Sequence, residues 1–168
     1  YAYCRNDPVN RIDPLGLALY AFDGAWNDRD EMTADAMYEA FRLLYRPGDP
    51  NGDKEILIVG FSRGAAEARD FANRIYDEAI ARGEDVPQIQ FMALFDTVRM
   101  AAGLEQAIPP NVRYVAHATA RNENRRAFPL TELFLRDPQS SVTCVTREFY
   151  GTHSDIGGGH EDNWISNA

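Results

Sequence analysis

Residues 54–72 read KEILIVGFSRGAAEARDFA: an apolar run of strand length breaks at a serine set between two glycines and resumes as an alanine-rich segment. Ala65, Ala68, Phe71, Ala72, Ile75 and Ala79 recur at helical spacing, and the segment stops at Gly83. The chain is therefore committed here to a strand, a tight turn and a helix. A strand that passes into a helix without a linker forces its turn residue into a strained conformation. Gly60 and Gly64 leave room for backbone on either side of Ser62. A serine is a poor nucleophile until a base takes its proton and hydrogen-bond donors receive the developing charge. Five loosely specified positions recur by chance, and a Gly-Ser-Gly turn also serves as plain loop chemistry. The strand before and the helix after are what give the motif weight.

The rest of the chain repeats the strand signal. LALYAF, from Leu17, is a fully apolar run stopped by Asp23 and Gly24. Over residues 31–46, Met32, Ala36, Met37, Ala40, Phe41 and Leu44 mark the packed face of a helix that closes on Pro47 and Gly48. QIQFMALF ends on Asp96, RYVAHATA forms a fourth strand, and VTCVTREFY a fifth, just before GTHSDIGGGH. Strands alternating with helices predict an α/β fold with a mostly parallel sheet and helices on both faces. In such sheets function gathers beyond the carboxyl ends of the strands.

That rule directs attention to the loops after the third and fifth strands. If Ser62 is a nucleophile, the α/β-hydrolase order requires an acid and then a histidine, each on a later loop. Asp96 and His153 stand in those places. Asp96 has a second reading as the N-cap of a helix over TVRMAAGL, and His153 as a loop histidine bonded to a carbonyl. The chain has three histidines: His117 falls inside a strand pattern and reads as core, and His160, past GGG, is the reserve base. Asp155 is the second-ranked partner for His153. The oxyanion donors are expected to be the N–H of Arg63 and one from Gly24 or Ala25 in FDGAWN, a stretch that also reads as a simple turn.

Composition narrows the alternatives. At 168 residues, 45% of them apolar, the chain is one globular domain, and a net charge of −9 argues against nucleic acid as a partner. No apolar run reaches membrane-spanning length, and YAYCRNDPVN has neither the basic nor the apolar region of a Sec signal. Cys4 and Cys144 read as free thiols, Cys144 in the core. Asp28, Asp30 and Glu31 read as the solvated first turn of a helix, so neither a metal nor a cofactor is expected.

FDGAWN, the Tyr45–Ala72 stretch with PGD and GFSRGAAEARDFA, then FDTV, HATARNENRRAF and FYGTHSDIGGGH occur in that order. Together they resemble the GFSRG-type α/β-hydrolase family that includes type VI secretion phospholipase effectors. The resemblance implies a Ser62, Asp96, His153 triad and membrane phospholipid as substrate. It also implies a hydrolase domain over 17–168 that ends short of the family's further helix. Read from the residues, Phe61, Trp26 and Phe128 are candidates for an apolar mouth, with core packing an equal alternative for any one of them, and Arg121, Arg125 and Arg126 are the local basic patch that a preference for anionic lipid would point to. The front, YAYCRNDPVNRIDPLGL, resembles the end of an Rhs repeat core, whose DPxGL signature marks the boundary with a C-terminal toxin. This implies that 1–16 closes an Rhs shell and that a secretion machine delivers the rest, with a cognate immunity protein as partner. The expected function is an antibacterial phospholipase A acting through an acyl-enzyme. The alternatives are an esterase with a soluble substrate and a non-catalytic effector fragment.

Overall fold

The structure, a computed structural model, describes residues 17–24, 33–46, 48, 55–98, 103–124 and 129–157. Among these described residues five strands and three helices succeed one another in chain order: β1 (Leu17–Phe22), α1 (Ala34–Leu44), β2 (Glu55–Phe61), α2 (Arg63–Arg82), β3 (Ile89–Phe95), β4 (Tyr114–Ala120), β5 (Thr143–Phe149) and α3 (His153–Gly157). The strands pair in sequence order, and every pair is parallel. The expectations for residues 1–16, Ala25, Trp26, Asp28, Asp30, Glu31, Arg125, Arg126, Phe128 and His160 lie outside the described residues.

This topology decides where the helices go. Right-handed crossovers, the rule for parallel strands, return on one face when they progress in one direction along a sheet. Accordingly α1 and α2 pack on each other and on the face presented by Ala18, Tyr20, Phe22, Ile56 and Ile58. Phe71 of α2 is fully buried, with ring centroids of Tyr20, Phe22 and Phe41 at 5.2, 5.5 and 6.0 Å. The short α3 supplies cover on the other face. Phe61 points there by pleat alternation, and a Cβ on Gly157 of α3 would collide with its ring. Away from Phe61 that face is more open among the described residues, where Leu19, Phe91, Tyr114 and Val145 are exposed.

Two expectations change. Cys144 is exposed, not core: its run forms β5, which is bonded to β4 and, among the described residues, has no strand on its other side. The buried stripe of α1 is Ala34, Met37, Tyr38 and Phe41, whereas Ala36 and Leu44 face solvent. The aromatic side chains set that rotation. Tyr38 and Phe41 stack at 5.9 Å, and Tyr38 Oη accepts from Arg82 of α2. At the start of α1, the Thr33 hydroxyl accepts the Ala36 N–H, and Glu67 reaches across from α2 to accept the Ala34 N–H at 2.9 Å.

The ring cluster around Phe71 is the joint between both long helices and the sheet. Phe71→Ala is expected to destabilise the fold by about 3–5 kcal/mol, the range for deleting a buried aromatic ring. Denaturant unfolding measures it, and a loss under about 1 kcal/mol would mean that the joint lies elsewhere.

Candidate active site

Only Ser62 separates the end of β2 from the start of α2. It adopts φ 59° and ψ −122°, a conformation that costs a non-glycine residue roughly 1–3 kcal/mol. The Ser62 N–H donates to Phe95 O at 2.9 Å, while its carbonyl accepts from Ala65 at 3.2 Å and Val98 at 3.4 Å. Both flanking glycines are sterically required. A Cβ on Gly60 would come within 2.6 Å of Gly64 O, and one on Gly64 would overlap the carbonyl oxygens of Phe22 and Asp23. The end of β1 thus lies against the first turn of α2, with Gly24 beside the Phe61 ring and Ser62 Cβ.

Asp96 ends β3 in the left-handed region, at φ 44°. Its N–H donates to Ala118 O at 2.7 Å, and its Oδ1 accepts from the Ala120 N–H at 2.8 Å, so the end of β4 holds both backbone and carboxylate. No helix follows it among the described residues, and the N-cap reading gives way to this cross-strand clamp. The remaining oxygen, Oδ2, lies 2.6 Å from His153 Nδ1.

His153 opens α3. Its N–H donates to Glu123 Oε2 at 3.2 Å, and its ring stacks on Phe61 with centroids 4.8 Å apart. Its Nε2 lies 2.7 Å from Ser62 Oγ. A carboxylate only accepts, so the proton belongs on Nδ1, and Nε2 is left to accept from the serine hydroxyl. Ser62, Asp96 and His153 are all buried. The three residues singled out in the sequence from separate loops therefore meet in one hydrogen-bonded line, and Asp96, not Asp155, faces the ring. Asp155 Oδ2 instead accepts the N–H and hydroxyl of Thr152, closing the turn before α3.

Two of the expected oxyanion donors, Arg63 and Gly24, lie beside Ser62, while Ala25 lies outside the described residues. Arg63 is the first residue of α2, and its N–H is among those that a helix leaves without an intrahelical acceptor. Gly24 borders Ser62 from the other side. Phe61 is half-buried and packs on His153. Arg121 is engaged as well, donating to Tyr150 Oη at 2.8 Å and lying 3.6 Å from Glu148. Two contacts to His153 escaped the sequence reading. Glu123, inside HATARNENRRAF, steadies His153, and Phe61 is its stacking platform; their place within a motif was the available signal. Among the described residues no cluster of His, Cys, Asp or Glu could hold a metal, and no helix is long and apolar enough to cross a membrane.

Comparison with known proteins gives this geometry a context. No curated protein matches the sequence. Among solved structures, the Tle1 effector bound to the VgrG spike from the type 6 secretion system is 32% identical, with a TM-score of 0.46; the match covers 63% of this chain and 25% of that one. An uncharacterized protein from Pseudomonas aeruginosa is 26% identical, with a TM-score of 0.50, over 73% of this chain and 22% of that one. The chain thus spans about a quarter of the length of these two. RedJ, solved with a PEG molecule in its active site, is 13% identical with a TM-score of 0.50, over 95% of this chain and 94% of that one. That likeness is one of fold, and the fold is α/β-hydrolase-like. Residues 76–168, more than half of the chain, match the T6SS phospholipase effector Tle1-like catalytic domain, and the chain belongs to that family.

Proposed function

We propose that this domain is a serine lipolytic hydrolase of the phospholipase A type. The observation that carries this reading is the line from Ser62 Oγ through His153 to Asp96, with contacts of 2.7 and 2.6 Å. In the proposed reaction Ser62 Oγ attacks the ester carbonyl carbon as its proton passes to His153 Nε2. Asp96 stabilises the imidazolium so formed. The N–H groups of Arg63 and of Gly24 or Ala25 receive the oxyanion. Collapse of the tetrahedral intermediate breaks the ester C–O bond, and Nε2 gives its proton to the leaving alcohol, a lysophospholipid. Water then attacks the acyl-serine with His153 as base, releasing the fatty acid and restoring Ser62.

Ser62→Ala should fold normally and lose hydrolysis by roughly 10⁴-fold or more. His153→Ala should fall as far, and the double variant no further, because the two act as one unit. Fluorophosphonate labelling at Ser62 and turnover of a short soluble ester report on this directly. A folded Ser62→Ala protein that keeps most of its activity would overturn the assignment, and an unlabelled wild type would favour a non-catalytic effector fragment.

The substrate is proposed to be membrane phospholipid of a target bacterium, reached by type VI delivery and opposed by an immunity protein. The effector family supports this, and the Tle1 structure with its VgrG spike makes the secretion apparatus a candidate partner. A net charge of −9 is repelled by anionic bilayers. Turnover should therefore be higher on zwitterionic than on anionic vesicles. Salt should narrow the gap, since charges are screened over about 8 Å at physiological ionic strength. Cleavage of soluble esters alone would favour the esterase reading.

The front of the chain is proposed to be the end of an Rhs core, cut at or just after Leu17 in the parent protein. Its two Asp-Pro steps suit an exposed, accessible segment. Mass spectrometry of the parent should find a C-terminal fragment beginning near Ala18. An uncut parent would remove the cleavage.

A further inference from the structure

Behind Asp96 lies a buried polar group with no part in the proposed acyl transfer. Arg69, fully buried on α2, donates from Nη1 to Glu132 O at 2.9 Å and to Gln106 O at 3.4 Å. Its Nη2 donates to Thr131 O at 3.0 Å and to Thr97 Oγ1 at 3.2 Å. Thr97, the residue after Asp96, is fully buried too, and its N–H donates to His117 Nε2 at 3.2 Å. The Thr97 hydroxyl lies 3.2 Å from the same nitrogen. His117 sits in the middle of β4, 2% exposed.

We propose that His117 is a positioning residue for Asp96: its Nε2 accepts the Thr97 N–H and so fixes the turn that aims the Asp96 carboxylate at His153. The inference rests on the serine-hydrolase reading. Three observations carry it. Asp96 is held at φ 44°, and a non-glycine residue keeps that conformation only where its neighbours impose it. The end of β4 clamps Asp96 itself, through Ala118 O and the Ala120 N–H, but the residue after it is anchored to β4 by His117. Finally, an acceptor at Nε2 requires a neutral ring, and the surroundings provide one. Burial and the nearby Arg69 cation push the His117 pKa down to about 4, against an opposing pull from Asp96. Arg69 thereby does two things: it ties three loop carbonyls to α2, and it keeps the His117 ring an acceptor. The neutral ring carries its proton on Nδ1, and its lone pair on Nε2 meets the Thr97 N–H.

The test uses the whole domain, with fluorophosphonate labelling of Ser62 and hydrolysis of a soluble ester as readouts. His117→Leu fills a similar volume without an acceptor. Its kcat should fall roughly 10- to 100-fold with KM little changed, because a small misplacement of a reacting group costs about that much. His117→Gln, whose Oε1 takes the place of Nε2, should recover most of the loss. Placed on Asp96→Asn, His117→Leu should cost nothing further, because it acts only through that carboxylate. Wild-type kcat in His117→Leu, no recovery in His117→Gln, or an additive loss on Asp96→Asn would each overturn the inference. If His117→Leu does not fold, ¹⁵N NMR of the wild type still decides. An unprotonated Nε2 at neutral pH supports the inference, and a protonated one overturns it. A wild type that does not label at Ser62 removes the underlying reading as well, whereas a labelled wild type with an indifferent His117→Leu removes the inference alone.

Discussion

The first turn of α2 presses on the ends of two strands at once, and the arrangement of the site depends on that contact. Gly60 meets Gly64 O and Ala65, while Gly64 meets the last carbonyls of β1. With no side chain at either position, α2 can start one residue after β2 and in contact with β1. Ser62 is then lifted into its strained conformation. The same approach sets Gly24 beside Ser62 Cβ and leaves the Arg63 N–H at a helix start. Two glycines thus place both the proposed nucleophile and its proposed charge acceptors.

Much of this was readable in the order of the residues. The cores of β1, β2 and β3 are apolar runs because these strands pair with neighbouring strands and are covered on one face by helices, and turn chemistry bounds them. The Ser62, Asp96, His153 line was accessible because the strand-turn-helix context singled out the serine, and the chain holds three histidines to choose from. What stayed hidden depends on tertiary neighbours. The position of β5 at the end of the described sheet, where Cys144 is exposed, is a property of strand order and not of the run VTCVT. The five residues HSDIG form α3 only because Thr152 and Asp155 close its first turn and Phe61 supports it. The partners of Arg69 are 28 to 63 positions away in sequence. No local pattern announces such a group.

Arg69 also shows how an ion can be buried with no counter-ion among the described residues. It makes four hydrogen bonds to uncharged oxygens, three of them carbonyls, and burial lowers its pKa to about 10. Such a group costs desolvation energy that carbonyl dipoles only partly return. In exchange, the loops after β3 and β4 are drawn onto α2, where Asn73 adds a bond to Ala107 O at 2.7 Å.

The three members of the line are not held equally. Ser62 and Asp96 are fastened to the central strands, whereas His153 comes after β5, which is exposed along almost its whole length and, among the described residues, pairs with β4 alone. Segments with few buried contacts open at lower free energy than the core they lean on. Lifting β5 and α3 would carry away the imidazole and leave the serine and aspartate in place. Loss of the proposed line and loss of the whole fold are then expected to be separable, the first needing only a local opening at the β5 end of the described sheet.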